Sequence, residues 1–440
     1  MNKAFTRKKE KSGISKFTML YVSNVMSYMV IGNLTYALTE SAGMAAKVVG
    51  TIFLISRLLD GLSDLVGGYI IDHTNTRWGK ARPFDLVYIP LWLSVVLCFS
   101  VPGLSNVGKI IWVFLTYNLS QTVCYTLTNG ANPVRLKRSI KEEYRVKAVT
   151  VTTIFSMIIS LGIGIIMPLL IARFGKQPHG WTIISSIFAV IGIVLALSCF
   201  FTLKELPADE KNGEQNVVKS ADLSFKESAK ILFQNKYVFI SSLSFLLFSV
   251  LNNMGAISNY YFQYIVGDIK KASVVSLGAA LGIIGVLIFP LLQKKFGTKM
   301  SCIFGFFTLA AGNMLKIFST TSIIWLIICN IISSAGSVLA GTTRSLINID
   351  CMSYGQKKSG VELEGVYSAV NGFGDKVGLG LGSWLVGFVM DLGGYDGKAV
   401  TQTAGALASI RSLYIMIPAA VAVVAAIIMS FYNEKVVKAD

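Results

Sequence analysis

Arg57, Asp60 and Asp64 lie between two almost wholly apolar runs, 48–55 and 65–71. A helix over 46–71 is long enough to cross a bilayer with some tilt, which puts all three charges near its middle. A charge at that depth costs at least ~2.5 kcal/mol on insertion scales, so such residues face a bundle interior or a water-filled cavity and mark an ion or substrate path. A spacing of four sets Asp60 and Asp64 on one helix face, one turn apart, with Arg57 a turn earlier on much the same side. Two carboxylates that close either bind a cation or share a proton, because like charges ionise together cheaply only beside a positive partner. The pattern therefore points to a coupling-ion site. Its rival is a buried ion pair in which Arg57 neutralises one carboxylate without a transport role, although one arginine does not balance two aspartates.

The elements that must position these residues follow from composition. Of 440 residues 53% are hydrophobic and only 14% charged, a membrane composition that excludes soluble folds. The first apolar run, 17–38, has full spanning length and is read as a retained helix rather than a cleaved signal. Twelve spanning helices are expected, at 17–38, 46–71, 84–104, 109–132, 148–172, 180–203, 237–266, 271–293, 299–318, 322–345, 364–390 and 408–432. The expected fold is thus an all-α integral membrane protein of two six-helix bundles, 1–203 and 237–440. A polar linker, 204–236, joins them, and its part 225–233 could lie as a helix on the membrane surface.

Charge then orients the chain. With the N-terminus cytoplasmic, 28 Lys and Arg fall in cytoplasmic segments and 7 on the opposite side. The positive-inside rule places both termini in the cytoplasm of a multi-pass protein of the cell membrane. The net charge of +17 is mostly this asymmetry; it implies attraction to anionic lipid, and nucleic acid is not an expected partner. Six cysteines, scattered without metal-ligand spacing, read as small core residues. His73 and His179 have no visible partners, and no set of nucleophile, base and oxyanion donors is present, so an enzyme is not expected. Arg77-Trp78-Gly79-Lys80 has an echo six helices later in Lys295-Phe296-Gly297-Thr298-Lys299, as a duplicated architecture would show.

The stretch from Arg57 to Asp64, continuing to Arg77-Trp78-Gly79-Lys80 and Arg82-Pro83, resembles the glycoside-pentoside-hexuronide:cation symporters, the melibiose permease family of the major facilitator superfamily. Tyr260 to Asp268 resembles that family's seventh-helix end, and Asp350 to Gly355 with Gly360 and Glu364-Gly365 its loop between helices ten and eleven. Lys376 falls where members carry a helix-eleven lysine. The resemblance implies sugar transport coupled to Na⁺, Li⁺ or H⁺ by alternating access, with no other cofactor. It assigns the cation to Asp60 and Asp64, with Thr126 and Ser63 as neighbouring oxygens. Hard alkali cations want such ligands.

The sugar side departs from the melibiose permease pattern: its helix-one and helix-four aspartates fall on Tyr28 and Asn129, and its helix-five arginine on Thr152. What remains is neutral hydrogen bonding from Asn24 and Asn129, with Asn118 or Gln121 in reserve, and Tyr28, Tyr125 and Tyr36 as stacking faces. The other half offers Asn252, Asn253, Asn371 and Lys376, though each Asn could equally be a helix-to-helix hydrogen bond. Loss of two carboxylates while Lys376 stays favours an acidic sugar such as a hexuronide over a galactoside, with a neutral glycoside as rival. Gating is assigned to Arg57, Arg77, Lys80, Arg344, Asp350 and Glu362. Arg344, Asp350, Glu362 and Glu364 are expected to meet 135–147 in a charged lock on the cytoplasmic side. Glycines 162, 164, 374, 378, 380 and 382 are read as small-residue faces in helices five and eleven. Sugar, coupling cation and membrane lipid are the expected partners of a monomer. Two alternatives stand beside this reading: a facilitator of the same fold for another amphiphile such as a lysolipid, and a non-transporting sensor. The sensor would need a signalling domain for which 431–440 leaves little room.

Overall fold

The computed structural model describes residues 2–205, 235–359, 364–399 and 401–438. Their apolar runs fold as helices, and the only extended pairing among them is an isolated bridge between Thr76 and Gly79. By contact the chain forms two compact units, Met1–Met44 with Ile55–Gln215 and Ala45–Leu54 with Asn216–Asp440.

In the first unit α1 (Asn2–Ile31) and α2 (Leu34–Glu40) divide the helix expected over 17–38. The break is at Gly32–Asn33, two weak helix formers, where Asn33 Nδ2 donates to the Met29 carbonyl at 3.1 Å. Then come α3 (Ala46–His73), a 3₁₀ turn at Arg82–Val87 that Pro83 opens, and α4 (Tyr88–Phe99). Next, α5 (Asn106–Tyr117) passes through a π-helical stretch, Asn118–Tyr125, into α6 (Thr126–Ser139). The unit ends with α7 (Glu142–Phe174) and α8 (Gly180–Thr202).

Side chains lock these helices at specific points. Trp92 Nε1 on α4 donates to Ser23 Oγ on α1 at 3.0 Å, and that hydroxyl donates to the Gly192 carbonyl on α8 at 2.8 Å. A Cβ at Gly192 would overlap the Trp92 indole, so the glycine is what lets α4 and α8 close together. Arg135 on α6 is fully buried against Asp85, with Nη2 to Oδ2 at 2.9 Å, and it also bonds Ser139 and the Leu203 carbonyl.

The second unit comprises α9 (Lys236–Asn253), α10 (Ile257–Tyr264), α11 (Lys271–Ala280), α12 (Ile284–Met314), α13 (Ile323–Ser359), α14 (Glu364–Leu392), α15 (Ala404–Tyr414), α16 (Met416–Ser430) and α17 (Glu434–Lys438). Gly297 breaks α12 with a φ of 83°. Where Gly305 meets α13, a Cβ would stand 2.7 Å from the Ala340 nitrogen, the close approach that small residues permit in lipid. Of the glycines read as packing faces, Gly378 and Gly382 press against the α9 backbone as expected, whereas Gly162 faces open space. Residues 45–54 join this unit because Gly50 lets α3 approach the α14 backbone at Ser383 and Trp384. One expectation is overturned: Asp350–Gly355, read as part of a loop, is helical, since α13 runs 37 residues to Ser359. No Gly or Pro interrupts α13 between Thr342 and Tyr354, which is why nothing ends the helix there.

Seven helical stretches among the described residues are long and apolar enough to cross a membrane: Arg82–Phe99, Glu143–Phe174, Gly180–Thr202, Lys236–Tyr264, Leu287–Phe318, Ile323–Lys358 and Ala404–Ser430. On α7 the outward-facing Ile154, Phe155, Met157 and Ile158 are apolar, as contact with lipid tails requires. All six cysteines are buried and unlinked. The linker residues 206–234 lie outside the described residues.

Both halves of the repeated loop motif are closed alike. Gly79 adopts a φ of 115° and Gly297 one of 83°, conformations that glycine tolerates. Glu205, just past α8, accepts backbone N–H bonds from Ala81 at 2.8 Å and Arg82 at 3.0 Å. Glu434, just past α16, accepts from Thr298 at 2.9 Å and Lys299 at 2.8 Å. A Cβ on either glycine would collide with the carboxylate, so each loop is shaped around the acid it holds.

Candidate cation and sugar site

Asp60 is buried near the middle of α3, whereas Asp64, one turn on, is exposed. Both face the same neighbour. The Thr122 hydroxyl in the π-helical stretch donates to Asp60 Oδ1, and Thr126 Oγ1 at the start of α6 donates to Asp64 Oδ1 at 3.3 Å. Ser63 Oγ donates to the Asp60 carbonyl at 3.0 Å and sits 3.4 Å from Thr126 Oγ1. Two carboxylates and three hydroxyls thus line the contact of α3 with the π-helical stretch and α6, an all-oxygen set suited to a hard monovalent cation. Gly67 and Gly130 make that contact feasible. A Cβ at Gly67 would stand 2.9 Å from Thr126 Cγ2, and one at Gly130 3.0 Å from Ile71 Cδ1, so each glycine leaves room for a side-chain methyl of the other helix.

The π-helical geometry places Asn118, Thr122 and Thr126 along one stripe towards α3. Asn118 Nδ2 donates to Ser56 Oγ at 2.9 Å, and its Oδ1 lies 2.9 Å from the Thr122 hydroxyl. Such insertions gather at functional sites because they re-aim side chains that an α-helix would rotate away. Arg57, assigned above to gating, lies beside these residues. Its Nη1 donates to Asp60 Oδ2 at 2.9 Å, both side chains are buried, and its guanidinium lies 6.0 Å from the Tyr117 ring centre. The ion pair and the cation site are therefore one assembly: Arg57 neutralises Asp60, and Asp64 stands at the exposed end.

Of the sugar candidates in the first unit, Asn24 is buried and donates to Thr128 Oγ1 at 3.1 Å, a helix-to-helix bond. Tyr28 and Tyr125 form a ring pair with centres 5.9 Å apart, and Asn129 is exposed. Tyr36 is buried against Trp181, away from any stacking role. Thr152 pairs with Thr18 Oγ1 at 3.2 Å. In the second unit Asn253 Nδ2 donates to the Leu379 carbonyl at 2.6 Å, and Asn371 Oδ1 accepts from Ser242 at 2.7 Å, so both tie α9 to α14. Lys376 is half-buried on α14. Its neighbour Asp375 is ion-paired with Arg344 and accepts from Ser249 Oγ at 2.8 Å.

The gating assignments disperse. Arg344 is engaged by Asp375, and Arg135 by Asp85 within its own bundle. The Lys80 backbone belongs to the Glu205 loop, with the Arg77 guanidinium 5.0 Å from the Trp78 ring centre. Asp350 is half-buried on α13, and Glu362 lies outside the described residues. Sequence reasoning missed Thr122, Glu205, Glu434 and the Asp85–Arg135 pair. Thr122 alone had a signal, lying four residues before Thr126.

The family profile of MFS/sugar transport proteins matches residues 19–434. The isoprimeverose transporter of Lactiplantibacillus pentosus is 28% identical over 94% of this chain and 86% of its own length. A glucuronide carrier protein homolog of Escherichia coli K12 is 27% identical over 90% and 86%. The chain belongs to the glycoside-pentoside-hexuronide:cation symporters of the major facilitator superfamily. Solved structures agree with the symporter in fold. The nucleoside transporter NupG, 15% identical, covers 96% of it and 100% of its own chain with a TM-score of 0.65. A bacterial homolog of the lysosomal transporter Spinster, 13% identical, covers 97% and 98% with a TM-score of 0.70. In this symporter Asp60, Asp64, Thr122 and Thr126 form the polar centre of the first bundle.

Proposed function

We propose that this symporter carries a sugar or glycoside into the cell together with Na⁺, Li⁺ or H⁺, bound at Asp60, Asp64, Thr122, Thr126 and Ser63. The observation that carries the reading is the row of contacts by which Asp60, Asp64 and Ser63 of α3 meet the hydroxyls of Thr122 and Thr126. A cation arriving beside Asp64 adds positive charge to a pair of carboxylates of which Asp60 is paired with Arg57. Coupling follows when the loaded and empty site prefer different arrangements of the two bundles, since a ligand shifts an equilibrium only by its differential affinity. In this reading the protein works as a monomer in the cell membrane, and its Lys and Arg distribution favours cytoplasmic placement of both termini.

For the substrate we propose an acidic sugar, recognised through Lys376. Asp375 beside it is ion-paired with Arg344. The relatives include a glucuronide carrier homolog and a transporter named for the neutral disaccharide isoprimeverose, so the two classes must be tested side by side. Uptake of labelled glucuronides and matching neutral glycosides is measured in membrane vesicles with and without a Na⁺ or pH gradient. Gradient-driven accumulation is expected, and accumulation that ignores both gradients would refute symport. Lys376→Gln should depress uronide uptake far more than neutral-sugar uptake, because only the uronide loses an ionic hydrogen bond. Equal losses would show that the lysine is structural.

A further inference from the structure

A cavity of about 250 Å³ lies inside the second unit, lined by α9 to α13, the start of α16 and Tyr414 at the end of α15. It contains Lys316, which is 4% exposed. The ammonium donates to Asn313 Oδ1 at 2.7 Å and lies 4.2 Å from the centre of the Tyr414 ring. That ring is itself stacked on Tyr261 at 4.0 Å, and Tyr261 is tethered by its hydroxyl to the Thr320 carbonyl at 2.7 Å. Among the described residues no carboxylate forms an ion pair with Lys316. Neutral oxygens and a ring face solvate an ammonium but leave its charge uncompensated, and a buried ion without an opposite charge is costly. The space beside it is roomy and about half polar. Asn252, Ser258, Ser334 and Ser337 line it, and the volume accommodates a small ion with several waters at about 30 Å³ each.

We propose that this cavity binds a small monovalent anion, a halide or a carboxylate no larger than acetate, with Lys316 as its counter-charge. The anion neutralises the buried ammonium while the amide and hydroxyl groups supply hydrogen bonds, so the ion is a structural or modulating ligand rather than cargo. This inference does not depend on the cation site or on Lys376, none of whose residues lines the cavity; Asn252 is the one sugar candidate among the lining residues. The test is equilibrium binding of radiolabelled chloride to purified protein, supplied as the choline salt so that the coupling cation is absent. Saturable binding is expected, competed by bromide and formate but not by the bulky gluconate. Lys316→Gln should weaken it about 10- to 100-fold, the scale of a lost charged hydrogen bond. Asn313→Asp, which places a carboxylate where the ammonium already finds an oxygen, should abolish it by satisfying the charge from within. Absence of saturable binding to the wild-type protein would overturn the proposal whatever the variants do, and so would binding that survives in both. Competition by gluconate as strong as by formate would also overturn it, since the cavity would then not select by size.

Discussion

Asp60→Asn and Asp64→Asn should both abolish cation-driven accumulation of sugar, yet only the first should weaken the fold. Asp60 is the buried partner of Arg57 at 2.9 Å. Removing one member of a buried ion pair costs ~3–5 kcal/mol, because the survivor keeps its desolvation penalty. Asparagine still offers an oxygen to the guanidinium, so the lower figure, ~3 kcal/mol, is expected. At roughly 2–4 °C per kcal/mol for a unit of about 200 residues, this lowers the melting temperature by about 6–12 °C. Asp64 is exposed and accepts the Thr126 hydroxyl at 3.3 Å, and an interaction at an exposed carboxylate is worth little, so its loss should cost below ~1 kcal/mol. The assay is thermal unfolding of purified protein in detergent, first without coupling cation and then with it. A cation at 100 times its Kd stabilises by ~2.7 kcal/mol, and both variants should lose that increment. The pairing argument also requires rescue: Arg57→Met combined with Asp60→Leu should recover most of the stability without recovering transport. If Asp60→Asn melts within about 3 °C of Asp64→Asn in cation-free buffer, the buried pair is not the anchor described here.

Thr122→Val should raise the cation concentration for half-maximal uptake about 10- to 150-fold, the effect of removing a hydrogen bond to a charged group, while sugar affinity at saturating cation stays near wild type. Uptake titrations with each candidate cation check this. Gly192→Val should lower stability by at least ~1–3 kcal/mol through overlap with Trp92, whereas Gly162→Ala, whose Cβ meets nothing within 4 Å, should be neutral or stabilise by up to ~1 kcal/mol; paired melting curves decide. Glu205→Ala and Glu434→Ala should each release the backbone amides of one loop at a cost of about 1–3 kcal/mol, seen as faster protease cleavage near Gly79 in the first variant and near Gly297 in the second.

The helix-period spacing of Asp60 and Asp64 was enough to find the cation pair, because one helix face is a local property. Their differing exposure was not legible, since it depends on how α3 lies against the π-helical stretch. That stretch has no mark in the pattern: Asn118 to Tyr125 is of ordinary composition, and its irregular winding shows only in the backbone. The paired loops around Gly79 and Gly297 were legible as an echo, but the acids that close them were not, because 124 residues separate Glu205 from Ala81. Charged residues pose the same difficulty elsewhere. Arg344 and the stretch beginning at Arg135 read as parts of a cytoplasmic charged lock, and in the structure each arginine has an aspartate inside its own unit, Asp85 or Asp375. The helical run through Asp350–Gly355 was missed because the stretch was read by its resemblance to the family's loop, while nothing in its own sequence stops a helix.

The two loop–carboxylate closures also set an order of assembly during synthesis. Domains emerging from the ribosome fold as units, N-terminal first. The acid that closes the first bundle, Glu205, is made immediately after that bundle's last helix, so the bundle can complete its contacts while the second is still being translated. The second bundle waits for Glu434, beyond α16, and until then the amides of Thr298 and Lys299 have no acceptor from it. A nascent chain halted between these two points should therefore hold one finished bundle and one open one, and a pulse-labelled protease assay on arrested chains would show protection at Gly79 well before protection at Gly297.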